Sequence, residues 1–202
     1  MKKFITLALA LCMALSASVC ASAAEIDTDG GSGSTPVYLS STEDGTMEGD
    51  PSATAMSVTV PTALPMAMSQ TGDVTTADNC QIINNSYGAV RVKSVTISAE
   101  NGWSLIAFGD KSTLASEKVD SDQLGFAICI GNGEWAVTDN SNESAQALIS
   151  APIAGCYMSG AGNVANNTVS VDYAAIVTPL STPVTNANIA NVVFVVEWDI
   201  AA

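Results

Sequence analysis

The chain has 202 residues, with 20 acidic against 6 basic side chains, no histidine, five cysteines and 5% aromatics. Without histidine there is no imidazole base, no Ser-His-Asp relay and no histidine metal ligand. A net charge of −14 leaves no basic face for phosphate backbones, which argues against nucleic-acid binding.

Lys2 and Lys3 open the chain, an apolar run follows from Phe4 to Val19, and Cys20-Ala21-Ser22-Ala23-Ala24 is small. A charged start, a short apolar core and an A-x-A site predict a secretory signal peptide over residues 1–23. A retained membrane anchor is the alternative, but the run is short for a span. Lipidation at Cys20 is another, with Val19 where a small residue is wanted. Export predicts a secreted, extracellular or cell-surface protein with no membrane insertion after cleavage. Losing Lys2 and Lys3 leaves 4 bases against 20 acids, or −16. Such a chain repels copies of itself and other acidic polymers.

Residues 24–52 read as a flexible acidic linker, with seven acids, no base and many Gly, Ser and Thr. This composition buries too little apolar surface to offset the entropy of ordering. Val37-Tyr38-Leu39 interrupts it. The patch is either an incidental cluster or a strand that adds to the edge of another subunit, a route to self-association.

From Ala53 to Ala202 the composition becomes apolar and β-branched, over a length suited to one domain. The period is mostly two. Ser57-Val58-Thr59-Val60 alternates and meets Pro61. Cys80-Gln81-Ile82-Ile83 precedes a turn at Asn84-Asn85-Ser86. Val90-Arg91-Val92-Lys93 alternates, and after Ser94 the pattern slips by one to Val95-Thr96-Ile97-Ser98, which predicts a β-bulge. Asn101-Gly102 predicts a hairpin into Trp103–Phe108. Leu124, Phe126, Ile128 and Ile130 alternate up to Gly131-Asn132-Gly133, from which Glu134–Val137 returns. Gln146–Ile153 is less regular. Val169, Val171, Tyr173, Ala175 and Val177 share one face of a long strand, and Val192, Phe194, Val196, Trp198 and Ile200 share a face of the last. Ser112–Val119 and Glu143–Ile149 have weak helical character. The pattern predicts an all-β antiparallel sandwich, Ig-like or jelly-roll-like, with few or no helices; a closed barrel is the alternative.

Cys80, Cys129 and Cys156 remain after export, at spacings that match no zinc site. They read as small buried hydrophobes, with a Cys129–Cys156 bridge as the next reading. Asp120 with Asp122, and Glu197 with Asp199, lie two apart, which in a strand means one solvated face rather than two carboxyls across a cleft. Asp139-Asn140-Ser141-Asn142-Glu143 is rich in oxygen but lacks the EF-hand order, so it reads as a polar turn rather than a calcium loop. No metal, cofactor or catalytic set is expected, and the chain reads as a non-enzyme. Trp103 and Trp198 alternate with apolar neighbours as core aromatics do, while Trp135 follows Gly133-Glu134 and is the better candidate for an exposed platform.

Gly102-Trp103-Ser104-Leu105, followed far downstream by Trp198-Asp199-Ile200, resembles the WxL-type domains of Gram-positive surface proteins. The second copy has Asp199-Ile200 where that family favours Thr-Leu. A signal peptide followed by a lone sandwich also resembles the camelysin/TasA-type secreted filament subunits. The first resemblance implies non-covalent attachment to peptidoglycan or another cell-surface polymer through Trp103, Leu105, Trp198 and Ile200. The second implies polymerisation into extracellular fibres. The resulting expectation is a non-catalytic cell-envelope protein, wall-associated or filament-forming. A carbohydrate-binding module, with Trp135 among its aromatics, is the alternative.

Overall fold

In the computed structural model, residues 55–114, 116–141 and 143–200 are described. The chain divides at Ser52/Ala53 into two units, and the described residues belong to the second. The predicted signal peptide, the acidic linker and the Val37-Tyr38-Leu39 patch lie outside them.

Among the described residues the body is built from strands, with one short 3-10 turn at Lys111–Leu114. The first sheet runs β1 (Val58–Thr59), β4 (Gln81–Asn84), β11 (Thr168–Val177), β7 (Gln123–Ile130) and β6 (Ser104–Ile106), with β8 (Ala136–Val137) also beside β7. The second runs β10 (Tyr157–Met158), β5 (Val90–Ala99) and β12 (Ala190–Trp198), with β9 (Ala145–Ile149) also beside β5. A small hairpin of β2 (Met66–Met68) and β3 (Val74–Thr76) packs near β11. The two larger sheets face each other over one core, as the alternating apolar runs predict, and the fold is an all-β sandwich.

That core takes every second residue from each long strand. Val90, Val92, Val95 and Ile97 come from β5, Leu124, Phe126, Ile128 and Ile130 from β7, and Val171, Tyr173 and Ala175 from β11. Across the β7–β11 ladder Ile128 pairs with Tyr173, and Phe126 and Tyr173 stack with ring centroids 6.1 Å apart. β7 is buried on both faces, its second face being the small set Gly125, Ala127 and Cys129.

The slip after Ser94 is the expected bulge. Val195 pairs with Ser94 and Val196 with Val92, so Lys93 is the extra residue. It returns Val95 and Ile97 to the core face that Val90 and Val92 occupy. Because the extra residue sits on β5, β12 itself stays evenly alternating.

Three expectations need correction. Asn101 and Gly102 do form a tight turn, with φ of 52° and 88° and the Trp103 N–H donating to Glu100 O at 3.0 Å. The turn makes no hairpin, however. β6 leaves β5 and pairs parallel with β7, Leu105 beside Leu124. Both sides of β5 are already taken, by β12 on one and by β9 and β10 on the other. Secondly, Ala145–Ile149 is a strand rather than a helical turn, held against Val95–Ser98. Thirdly, Asp120 and Asp122 share no strand face. Both have positive φ, 61° and 49°, and Asp120 accepts the Ser181 N–H at 2.7 Å.

Candidate functional site

The two tryptophan motifs are placed far apart. Trp103 follows the turn beyond Ala99, at one end of β5, whereas Trp198 pairs with Val90 at the other. Nine residues of strand separate those ends, about 30 Å. The two motifs therefore stand at opposite ends of β5, too far apart for one compact ligand to reach both. Leu105 is 2% exposed and belongs to the core, so its role is packing and not polymer contact. Trp103 and Trp198 are half-buried against the same core. Ile200 lies beyond β12 and is 72% exposed.

Trp135 behaves differently. It is 53% exposed and stands two residues from Val137, also exposed, on β8. The Gly131–Gly133 turn that precedes it packs against Ala154 and Gly155.

Two depressions in this surface are small. One, about 190 Å³, is lined by Trp103, Ser104, Leu105, Glu143 and Ser144. Another, about 160 Å³, lies among Ala89, Tyr157, Met158, Ser159, Asn166 and Asp199. Sites that enclose a drug-sized ligand run from roughly 300 Å³ upward.

The charged groups near the second depression are occupied with each other. Tyr157, Arg91 and Glu197 lie in one row across β10, β5 and β12. The Arg91 Nε donates to Glu197 at 2.9 Å, Lys93 reaches the other carboxylate oxygen at 2.9 Å, and Arg91 also lies 3.4 Å from Asp199. Hydrogen bonds from Lys93 and Arg91 hold the Glu197 carboxyl below its ordinary range, and the bond to Glu197 pushes the Arg91 guanidinium up. Elsewhere the Asp139 Oδ1 accepts the Ser141 N–H and the Asn140 Oδ1 accepts the Ala107 N–H, both at 2.8 Å. The first of these oxygens organises the loop's own backbone, and the second ties the loop to the residue after β6.

The three thiols are free. Cys156 lies in the core and Cys129 on the second face of β7, where its Sγ sits 3.2 Å from Gly133 O. Burial raises both thiol pKa values, the condition of an inert structural cysteine.

The feature that sequence reasoning missed is the edge of the second sheet. Among the described residues β12 pairs only with β5. Its signal is present in Ala190-Asn191-Val192-Val193-Phe194-Val195-Val196, a run without charge, Gly or Pro. Such composition normally marks an interior strand, because edges are usually blunted by Lys, Pro or bulges. Its core-side residues Val192, Phe194, Val196 and Trp198 remain half-buried, so the seam of the sandwich is open along this strand. On the outer face Val193 is 54% and Val195 42% exposed.

Comparison with protein-family models, with curated proteins and with solved structures found no match to this chain.

Proposed function

We propose that this is a non-catalytic secreted protein of the cell envelope, a wall-associated or filament-forming subunit that works by surface contact. The observation that carries this reading is the long edge strand β12, which among the described residues has no second neighbour and carries exposed apolar side chains. The export pattern of residues 1–23 and the acidic composition of 24–52 support it from the sequence side. On this reading Val37-Tyr38-Leu39 is a second element for subunit contact by strand addition.

The test is sedimentation of the secreted chain with purified peptidoglycan, together with electron microscopy of the concentrated protein. Binding to the wall polymer, or filaments, is the expected result. A chain that ignores both sinks the proposal.

Trp135, exposed beside Val137, favours a second reading as a carbohydrate-binding module. A glycan array comparing the natural chain with Trp135→Ala decides it. A signal lost on that substitution supports the module, and an array without signal ends it.

A further inference from the structure

We infer that the free edge of β12 is the interface with a second copy of this chain, joined strand to strand about a two-fold axis. The inference rests on the assembly branch of the reading above and names its partner.

The backbone defines which groups are free. The Asp199 N–H donates to Ala89 O and the Ile189 C=O accepts the Glu100 N–H, both at 3.0 Å. Odd-numbered residues therefore turn their peptide groups toward β5. By alternation Ala190, Val192, Phe194, Val196 and Trp198 turn theirs outward along the open edge. Among the described residues these groups have no strand partner, and such a row along the uncharged run Ala190–Val196 is a template for another strand. The bulge does not blunt it, since Lys93 carries the extra residue on the neighbouring strand.

Symmetry then selects the register. An axis perpendicular to the sheet keeps core faces with core faces, so paired residues share parity. Centring the axis on Phe194 pairs the whole strand. Val192 meets Val196 of the other copy, Val193 meets Val195, and Asn191 meets Glu197. Each outward-facing peptide finds a partner, roughly ten hydrogen bonds in all. Centring one face-matched step later, on Val195, would set Val193 against Glu197 and leave the start of β12 facing residues beyond the strand. In the Phe194 register the two Glu197 side chains stand at opposite ends of the interface, the exposed valines cover each other, and the open seam beneath Phe194 is closed. A two-fold pair of this kind is closed, so a filament would need a further contact.

The experiment uses the secreted chain in sedimentation equilibrium across protein concentration. A monomer–dimer equilibrium is expected, tightening as salt screens the acidic bodies. Val193→Lys with Val195→Lys sets like charges opposite each other on an already exposed face, so the fold should survive while association weakens roughly tenfold or more. The added lysines lower the net negative charge, so a loss of dimer reports the local clash and not general repulsion. Register is read by mixing Val193→Cys chains with Val195→Cys chains. These positions form a non-hydrogen-bonded pair, with Cα atoms about 4.5 Å apart and within disulfide reach. The mixture should give a disulfide dimer joining positions 193 and 195.

A secreted chain that stays monomeric at every concentration overturns the inference. So does a dimer indifferent to both lysines, or one lost with Tyr38→Asp and not with the lysines, which would move the contact to the N-terminal segment. Wall binding or filaments that persist in the double-lysine variant would sink this interface and leave the proposed function standing. A β12 dimer that binds no wall and makes no filament would do the reverse.

Discussion

The indole of Trp198 lies over Gly88, so that a methyl group at position 88 would stand 3.1 Å from its Cζ3. This contact joins the loop before β5 to the last residue of β12, next to the Asp199 N–H···Ala89 O hydrogen bond. It anchors Trp198, half-buried at the rim of the core. Gly88→Ala should cost little, because the ring can give by a few tenths of an ångström. Gly88→Val should cost about 1–3 kcal/mol by overpacking. Urea unfolding measures the difference, and the near-ultraviolet circular dichroism of the tryptophans should change with it.

Thr138 ties β6 to β7 where their parallel ladder ends. It is 1% exposed, and its Oγ1 donates to Ile106 O at 2.6 Å and accepts the Phe126 N–H at 2.9 Å. Thr138→Val keeps the shape and removes both partners, so a loss of about 1–3 kcal/mol is expected from the stranded backbone groups. Thr138→Ser should recover most of it, which denaturant titration of the pair checks.

Asn84 carries a stricter requirement. Fully buried, it donates from Nδ2 to Gly88 O and Ser159 O, both at 2.9 Å, and accepts the Ser86 N–H on Oδ1 at 2.8 Å. Asn84→Asp would aim a carboxylate oxygen at two carbonyls. It should destabilise at neutral pH by about 2–4 kcal/mol and recover partly in acid, as the carboxyl protonates and can donate once more. Thermal unfolding at two pH values tests this.

Acid should loosen the β5–β12 contact. Glu197 is held below its ordinary pKa by hydrogen bonds from Lys93 and Arg91. A carboxyl depressed on folding adds stability above its unfolded pKa and loses it as pH falls through the lower folded value. Asp73, depressed by Lys111, and Asp110, Asp120 and Asp139, depressed by serine hydrogen bonds, act in the same direction. Stability should therefore decline over roughly pH 5 to 2. Glu197→Gln should make that decline shallower, as read from unfolding midpoints across the range.

Thiol reactivity should follow burial. Cys80 is partly exposed, while Cys129 and Cys156 are buried with raised pKa values. A maleimide added to the native protein should label Cys80 first, and the other two should react on unfolding. Mass-spectrometric mapping that finds Cys156 labelled early would contradict its place in the core.

Much of the fold was legible because strand periodicity is a local property. The faces of β7, β11 and β12 followed from alternation, and the bulge followed from the one-residue slip at Ser94. The Asn101-Gly102 turn was legible too, since both residues tolerate positive φ. Its outcome was not, because whether the next strand returns beside β5 depends on β9 and β12, which come later in the chain. Of the candidate site, the exposure of Trp135 was readable from its loop setting. The burial of Leu105 and the separation of Trp103 from Trp198 were not, since motif spacing carries no information on which end of the sandwich a strand reaches.

By itself the sequence determined the all-β character, the inward and outward sets of each strand and the excess of negative charge, because sterics and side-chain chemistry act residue by residue. The tertiary structure alone decided strand order, and with it that a valine-rich strand uncharged from Ala190 to Val196 stands at the rim of its sheet among the described residues. Neighbours in a sheet are chosen by contacts between distant parts of the chain. Among the described residues β12 has β5 as its one neighbour, a choice no local pattern in β12 dictates.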